Sequence, residues 1–264
     1  MSRRSENGIA ETPRSERLQS LARGLAVLRS FTPVHPALTI SEVAERTGLT
    51  RATARRVLLT LADLGYVNTD RREFTLSRTV LELAKPFSLE RDPWTFARPY
   101  LESLTERTGE SASIAILDDT EILYVARSQT RRLMTLAVAV GSRLPAHATS
   151  KGRVLLAFLP EPELEAYFAR RAIARYTEQT VVDEAELRSI LAEVRREGFA
   201  VVDQQLEEGL SSVAAPIVDA SGRVSAALSL CAHAGRVDGA TLRSDFVPLV
   251  VETAHRVSAL IIRR

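Results

Sequence analysis

Arg51, Arg55 and Arg56 cluster in the run TRATARRVLLTLADLG, residues 50–65. If the run is helical and Ala54 and Leu58 mark its buried direction, successive residues turn by about 100°. Ala52, Arg55 and Arg56 then point away from the core, with Arg51 and Thr53 at the edges of the exposed face. A guanidinium in such a place can grip guanine through two parallel hydrogen bonds, or neutralise a backbone phosphate. Arg71 and Arg72, a few residues on, are further phosphate or minor-groove candidates. The competing explanation is a solvated helix face that binds nothing.

A second stretch with chemical potential is GSRLPAHATSKGRVLLAFLP, residues 141–160. Thr149 or Ser150 can cap a helix starting near Lys151. Free N–H groups at a helix start favour an anion, and Lys151 and His147 add to that. A carboxylate is therefore a natural guest, although a capped helix with a purely structural role fits the same residues. His147, Asp203, Ser212 and Ser229 are the right types for a hydrolytic triad, and His147, Asp203 and Cys231 for a metal site. The chain nevertheless has no GxSxG elbow, P-loop or HExxH, and its four histidines are scattered. We therefore expect no catalytic residues, no metal and no cofactor.

The elements around the arginines explain why they would be presented. In TISEVAERTGL, residues 39–49, Thr39 or Ser41 can cap a short helix carrying Ile40, Val43 and Ala44 on one face. Gly48 supplies a left-handed turn, and Thr50 can cap the arginine-bearing helix, whose apolar stripe is Ala54, Val57, Leu58 and Leu61. Leu59 falls on the outer side, which requires a neighbouring helix or chain to cover it. Gly65 ends this helix, and Tyr66–Val67 and Phe74–Leu76 read as two short strands around a turn at residues 68–72. Helix, turn, helix and hairpin is the order of a winged helix-turn-helix, in which the second helix enters the major groove of DNA. Leu18, Leu21, Leu25 and Leu28 predict a preceding helix over residues 17–31, with surplus apolar surface that could serve a dimer contact.

The rest of the chain reads as a second domain. The first 90 residues carry 14 Lys plus Arg against 10 Asp plus Glu, and the remaining residues 21 against 23. That asymmetry fits a basic head on a near-neutral body. A single cysteine excludes an internal disulfide and fits a reducing cytosol, and neither a signal core nor a membrane span is present. Residues 1–16 are polar and aperiodic and read as a disordered tail. Residues 78–92 read as a linker helix interrupted by Pro86, and residues 93–108 as a helix kinked or split at Pro99. Then come β-rich runs at 111–117, 121–129 and 133–140, helices at 161–172 and 184–197, strands at 199–205, 211–219 and 224–232, and a closing helix at 239–263. This order argues an α+β domain with a largely antiparallel sheet.

The segments SLARGLAVLRSF (residues 20–31) and TISEVAERTGLTRATARRVLLTLADLGYV (residues 39–67) resemble the DNA-binding domain of the IclR family of bacterial transcriptional regulators. GSRLPAHATSKGRVLLA resembles that family's effector-domain signature, so the likeness spans residues 18 to 262. It implies a GAF-like fold with a curved sheet and a ligand pocket. It carries pocket roles onto Leu144, Ala146, His147, Ser150 and Lys151, with Leu133 and Leu136 from the preceding strand. Asp203, Leu210 and Ser212 follow from VVDQQLEEGLSSVAAPI, and Ser229 and Cys231 from AALSLCA. Arg127 could pair with a carboxylate if it points inward, but exposure is the commoner fate of such a residue. Within the family the pocket stretch is most similar to the subgroup regulating breakdown of protocatechuate and related aromatic acids through β-ketoadipate. It departs from that subgroup's Tyr and Cys at His147 and Ala148, and from its apolar residue at Lys151.

The expectation is thus a tail over 1–16, a winged helix-turn-helix domain over 17–77, a helical linker over 78–92 and an effector-binding domain over 93–264. The chain is expected to be a cytoplasmic regulator that binds double-stranded operator DNA at an inverted repeat. Its partners would be a small organic acid effector and further copies of itself, as a homodimer that pairs into a tetramer. The alternatives are a ligand-insensitive architectural DNA-binding protein, and an enzyme fused to a DNA-binding head.

Overall fold

The structure is a computed structural model describing residues 18–32, 34–70, 72–84, 93–130, 138–170 and 173–262. The chain divides into two compact units, Met1–Ser88 and Leu89–Arg264, so the boundary falls within the expected linker region. The tail over 1–16, Pro86, Arg71, Leu133 and Leu136 lie outside the described residues.

In the first unit, α1 (Gln19–Ser30) is followed by β1 (Ala37–Thr39), α2 (Ile40–Thr47), α3 (Arg51–Asp63), β2 (Val67–Asp70) and β3 (Glu73–Leu76). Thr39 forms a full capping box with Glu42: its hydroxyl accepts from the Glu42 N–H, and the Glu42 carboxylate accepts from the Thr39 N–H at 2.7 Å. Those donors hold the Glu42 carboxyl below its ordinary value. Gly48 takes φ +67° and turns the chain into α3, which Thr50 caps through the Thr53 N–H at 3.2 Å. Val27, Leu38, Val43, Ala54, Leu58 and Phe74 form the buried core of this unit. The hairpin is longer than expected, and it gains a third strand. β1 pairs antiparallel with β3, giving the order β1-β3-β2. Of the linker helix expected over 78–92, Arg78–Ala84 is a 3₁₀ helix, and residues 85–92 lie outside the described residues.

The second unit opens with 3₁₀ helix Pro93–Ala97 and α4 (Arg98–Thr108), so Pro99 splits the element and sits in the first turn of α4. Then follow β4 (Ser111–Asp118), β5 (Glu121–Ser128), β6 (Arg143–Pro145), α5 (Ser150–Ala157), α6 (Glu161–Arg170), α7 (Glu184–Glu197), β7 (Ala200–Asp203), β8 (Leu210–Val218) and β9 (Val224–His233). The closing helix is broken: α8 (Gly239–Thr241) runs into a π-helical turn, Leu242–Phe246, before α9 (Val247–Ile262). Of the strand expected over 133–140, residues 138–140 are irregular, and the edge strand is β6.

All six strands are antiparallel in the order β6-β5-β4-β9-β8-β7. Side chains alternate between the two faces. On one face Ala112, Ile114, Val213, Ala215, Leu228 and Leu230 pack against α4 and α9. On the other, Ala115, Tyr124, Ala214 and Ala227 meet α5, α6 and α7. Every residue of α5 is buried. Among the described residues no helix is long and apolar enough to cross a membrane.

Candidate functional sites: a nucleic-acid face and a cationic cavity

In the first unit, α3 buries Ala54, Leu58 and Leu61 and leaves Arg51, Ala52, Arg55 and Arg56 exposed, with Thr53 half-buried. Among the described residues none of these arginines forms an ion pair, so their donors face solvent. Arg72 is exposed at the hairpin tip between β2 and β3. The arrangement offers two groups of guanidinium donors, one on a helix and one on a wing. Leu59 is exposed, as its outward phase required. Leu18, Leu21, Leu25 and Leu64 are also exposed, and Leu21 and Leu64 line a groove of about 530 Å³ between α1 and α3.

The second unit holds a cavity of about 40 Å³ between one sheet face and the start of α5. Its sheet wall comes from strand phase. Ser113 pairs across β4 and β9 with Ser229, Ser111 pairs with Cys231, and across β5 Ser113 pairs with Arg127. Ser111, Ser113, Tyr124, Arg127 and Cys231 therefore line it together. Leu144 from β6, Val138, Thr149, Leu206 and Leu210 supply the rest.

Lys151 reaches into this cavity and is only 2% exposed. Its ammonium donates to Ser229 Oγ at 2.8 Å, Ser113 Oγ at 2.9 Å and the Tyr124 hydroxyl at 3.1 Å, and lies 4.2 Å from the centre of the Tyr124 ring. An ammonium has three donors, so these hydroxyls occupy all of them. Each charge-assisted bond is worth about 1.5–3 kcal/mol, and the ring contact up to about 2 kcal/mol. Together they offset a burial cost of several kcal/mol for one ion. Among the described residues no carboxylate lies within ion-pair distance of Lys151, and none lines the cavity.

The residues expected to form the pocket separate into groups. Lys151, Leu144, Leu210 and Cys231 line the cavity, and Ser229 bonds the ammonium at its edge. Ser212 pairs with Cys231 on the same sheet face, beyond the lining. Ser150 is buried in the first turn of α5, but Thr149 is the residue that lines. His147 is fully buried and turned to another neighbour: its Nε2 bonds the Ala174 carbonyl at 2.9 Å, and its ring faces Tyr176. Asp203 does not join the group. It is exposed and accepts a hydrogen bond from Ser211, which lies on the sheet face packed by α9. Asp203 and His147 thus point apart, which leaves no triad, and among the described residues no group of His, Cys, Asp and Glu could hold a metal. Arg127 lines the cavity instead of being lost to solvent. Residue typing missed Ser111, Ser113, Tyr124, Val138 and Leu206. Only the alternation of small polar and apolar residues in SASIA carried a signal for the two serines.

A close backbone contact and a set of buried side-chain hydrogen bonds hold the cavity's roof. A Cβ on Gly152 would meet the Ala146 carbonyl oxygen at 2.0 Å, so α5 packs directly on the backbone of the preceding loop, and Ala146 serves this contact. Arg153, buried beside Lys151, donates to the His147 carbonyl at 3.1 Å and to the Gln205 side chain. Burial pushes its guanidinium down to about 10, with Glu186 opposing. Thr177 and Thr180 hydroxyls donate to the carbonyls of Gln204 and Gln205. Leu206, the next residue, is thereby held at the cavity wall.

Residues 20–71 match the IclR helix-turn-helix domain, and residues 90–259 match the bacterial transcriptional regulator IclR C-terminal domain. The chain is 41% identical over 239 residues to the Pca regulon regulatory protein of Pseudomonas putida, covering 90% of this chain and 82% of that protein. It is 34% identical over 249 residues to the p-hydroxybenzoate hydroxylase transcriptional activator of Acinetobacter baylyi, covering 92% of each. The crystal structure of an IclR homolog from Microbacterium hydrocarbonoxydans complexed with 4-hydroxybenzoate superposes with a TM-score of 0.79 at 27% identity. It covers 93% of this chain and all of that one.

Proposed function

The chain belongs to the IclR family of bacterial transcriptional regulators, and from that premise we propose that a small carboxylate entering the Lys151 cavity modulates its binding to operator DNA. Its relatives in this family are regulators and not enzymes. DNA binding is the task of the winged unit. Arg51, Ala52, Thr53, Arg55 and Arg56 are assigned to the major groove, and Arg71 and Arg72 to backbone or minor groove.

The observation that carries the effector reading is Lys151: a buried ammonium satisfied only by neutral hydroxyls. A carboxylate would supply the missing countercharge where water is scarce and the attraction is strong. Thr149, Ser111 and Cys231 offer further polar contacts, and Leu144, Leu206 and Leu210 an apolar lining. The names of the relatives support control of catabolic genes, such as those of aromatic-acid degradation. The exposed leucines of α1 and α3 support a homodimer placing two heads on an inverted repeat, and the family resemblance implies that effector units join dimers into tetramers. A cytoplasmic location follows from the DNA target. The effector acts only through its difference in affinity between head arrangements that do and do not fit the half-site spacing.

The test is to select an operator from random double-stranded DNA and follow its binding by fluorescence anisotropy as carboxylic acids are added. A shift of the operator isotherm of several-fold by at least one acid, at constant ionic strength, is expected. An isotherm indifferent to every acid would leave a ligand-blind architectural protein.

A further inference from the structure

Leu59 stands apart from the other exposed leucines of the first unit. Leu21 and Leu64 line the groove between α1 and α3, and Leu59 does not. At about 100° per residue, Leu59 falls about 20° from Ala52, two turns earlier on α3. Arg55 and Arg56 flank that line by about 60° on one side and about 40° on the other. All four residues are exposed. An apolar line from Ala52 to Leu59 therefore runs between two guanidinium groups that form no ion pair among the described residues. Thr53 is half-buried, with its hydroxyl 2.9 Å from that of the cap residue Thr50, so it adds little to this face. Asp63 lies one turn beyond Leu59 and is exposed. Its charge is repelled by phosphate, so the face suited to DNA ends at Leu59.

Two occupants suit an exposed apolar line of this kind, a second copy of the chain or DNA, and the flanking charges decide between them. A second copy pressed on Leu59 would draw Arg55 and Arg56 into a protein contact, where charged residues without partners are costly. Against DNA, the phosphates bordering the groove supply the countercharge. On the reading that α3 lies in the major groove, we infer that Leu59 is a specificity-determining contact and that it reads thymine. The C5-methyl of thymine is the apolar group that the major groove presents. Guanine, adenine and cytosine present donors and acceptors there, which a leucine would strip of water without replacing. Ala52 and Leu59 are about 10 Å apart along the helix axis, too far to share one methyl group. The first turns of such a helix lie nearest the base edges, so a residue two turns back needs the longer reach of leucine. Leu18, Leu21, Leu25 and Leu64 remain for a contact with a second copy.

The experiment uses the full chain and an operator selected from random double-stranded DNA. Each thymine of the operator is replaced in turn by deoxyuridine, which removes only the methyl group. Affinities are read by fluorescence anisotropy at one salt concentration. At least one deoxyuridine per half-site is expected to weaken binding about three- to fivefold, the value of one buried methyl group. In Leu59→Ala the penalty at that position should fall to a ratio near one, while penalties elsewhere persist. This coupling between side chain and methyl is the readout, so a variant that merely binds less well does not count as support. Leu59 is on the surface and alanine is a better helix former, so the variant is expected to fold, and Leu59→Gln repeats the measurement if it does not. A half-site without thymine, deoxyuridine harmless at every position, or a penalty unchanged in both variants would overturn the inference and leave α3 in the major groove. Unchanged operator affinity in Leu59→Ala, with loss of self-association in sedimentation, would overturn it by placing Leu59 against a second copy. Failure to select any operator would remove the inference together with the assignment of α3 to the major groove.

Discussion

Lys151→Met separates the cost of holding a buried charge from the benefit of having one. Methionine keeps an unbranched side chain of similar length and removes the ammonium. Three acceptors lose their donor, but Ser113 and Ser229 already lie 3.3 Å apart and can bond each other. Only the Tyr124 hydroxyl loses its described donor outright, at a cost of about 1–3 kcal/mol. Against that stands relief of several kcal/mol from no longer burying an ion. The unliganded variant should therefore melt within a few degrees of the wild type. The effect of ligand is different. At 100 times its dissociation constant a ligand adds about 2.7 kcal/mol, which raises the melting temperature of a unit this size by roughly 5–10 °C. Loss of one charge-assisted contact weakens affinity by about 10- to 150-fold. At the same ligand concentration the variant should keep half of that rise or less. Thermal melts of both proteins with and without the tightest-binding acid decide the matter. A variant that retains the full ligand-induced rise would show that the ammonium does not meet the ligand.

Four further outcomes are expected. Arg55→Ala or Arg51→Ala should weaken specific operator binding by about 1–3 kcal/mol if the residue reads a base, and electrophoretic mobility shifts on operator and random DNA check this. Equal loss on both would make it a phosphate contact. Arg72→Ala should flatten the dependence of log affinity on log salt by about one unit while weakening all sequences alike. Gly152→Ala should destabilise the second unit by at least about 1–3 kcal/mol in urea, because its Cβ meets backbone and not a flexible side chain. Glu42→Gln should remove an acid-dependent stabilisation of the first unit. The Glu42 pKa is lowered on folding, so its contribution is present above the ordinary value of 4.5 and fades as pH falls through the lowered one. Melts of wild type and variant should therefore converge as the pH is taken below that range.

Local signals were legible and long-range ones were not. α7 runs from Glu184 to Glu197, as expected, because Asp183 caps it and Gly198 closes it at φ +78°. Thr39, Gly48 and Thr50 marked the turn of the DNA-binding unit in the same way. β1 escaped notice: its three residues form a strand only because β3 lies beside them. The π-helical turn at Leu242–Phe246, which buries Leu242 and Phe246, has no sequence cue of its own. The pocket shows the same division. Lys151 was found from its place at a helix start, but its partners Ser113 and Ser229 lie 38 and 78 residues away. Asp203 has the right chemistry and the wrong strand phase. The family resemblance placed it at the pocket, whereas its pairing with Ser211 turns it to the opposite face.

The contact of Gly152 with the Ala146 carbonyl has a mechanical consequence. With no side chain between them, the roof helix and its approach loop form one slab with no free travel towards each other. Thr149 and Lys151 ride on that slab, and the sheet beneath is tied into six strands. A guest bulkier than the few waters the cavity admits must therefore make room sideways, by displacing Leu206 and Leu210 or the β6 edge at Leu144. The arrival of ligand would then be registered at the cavity's rim, while the charge that attracts it stays still.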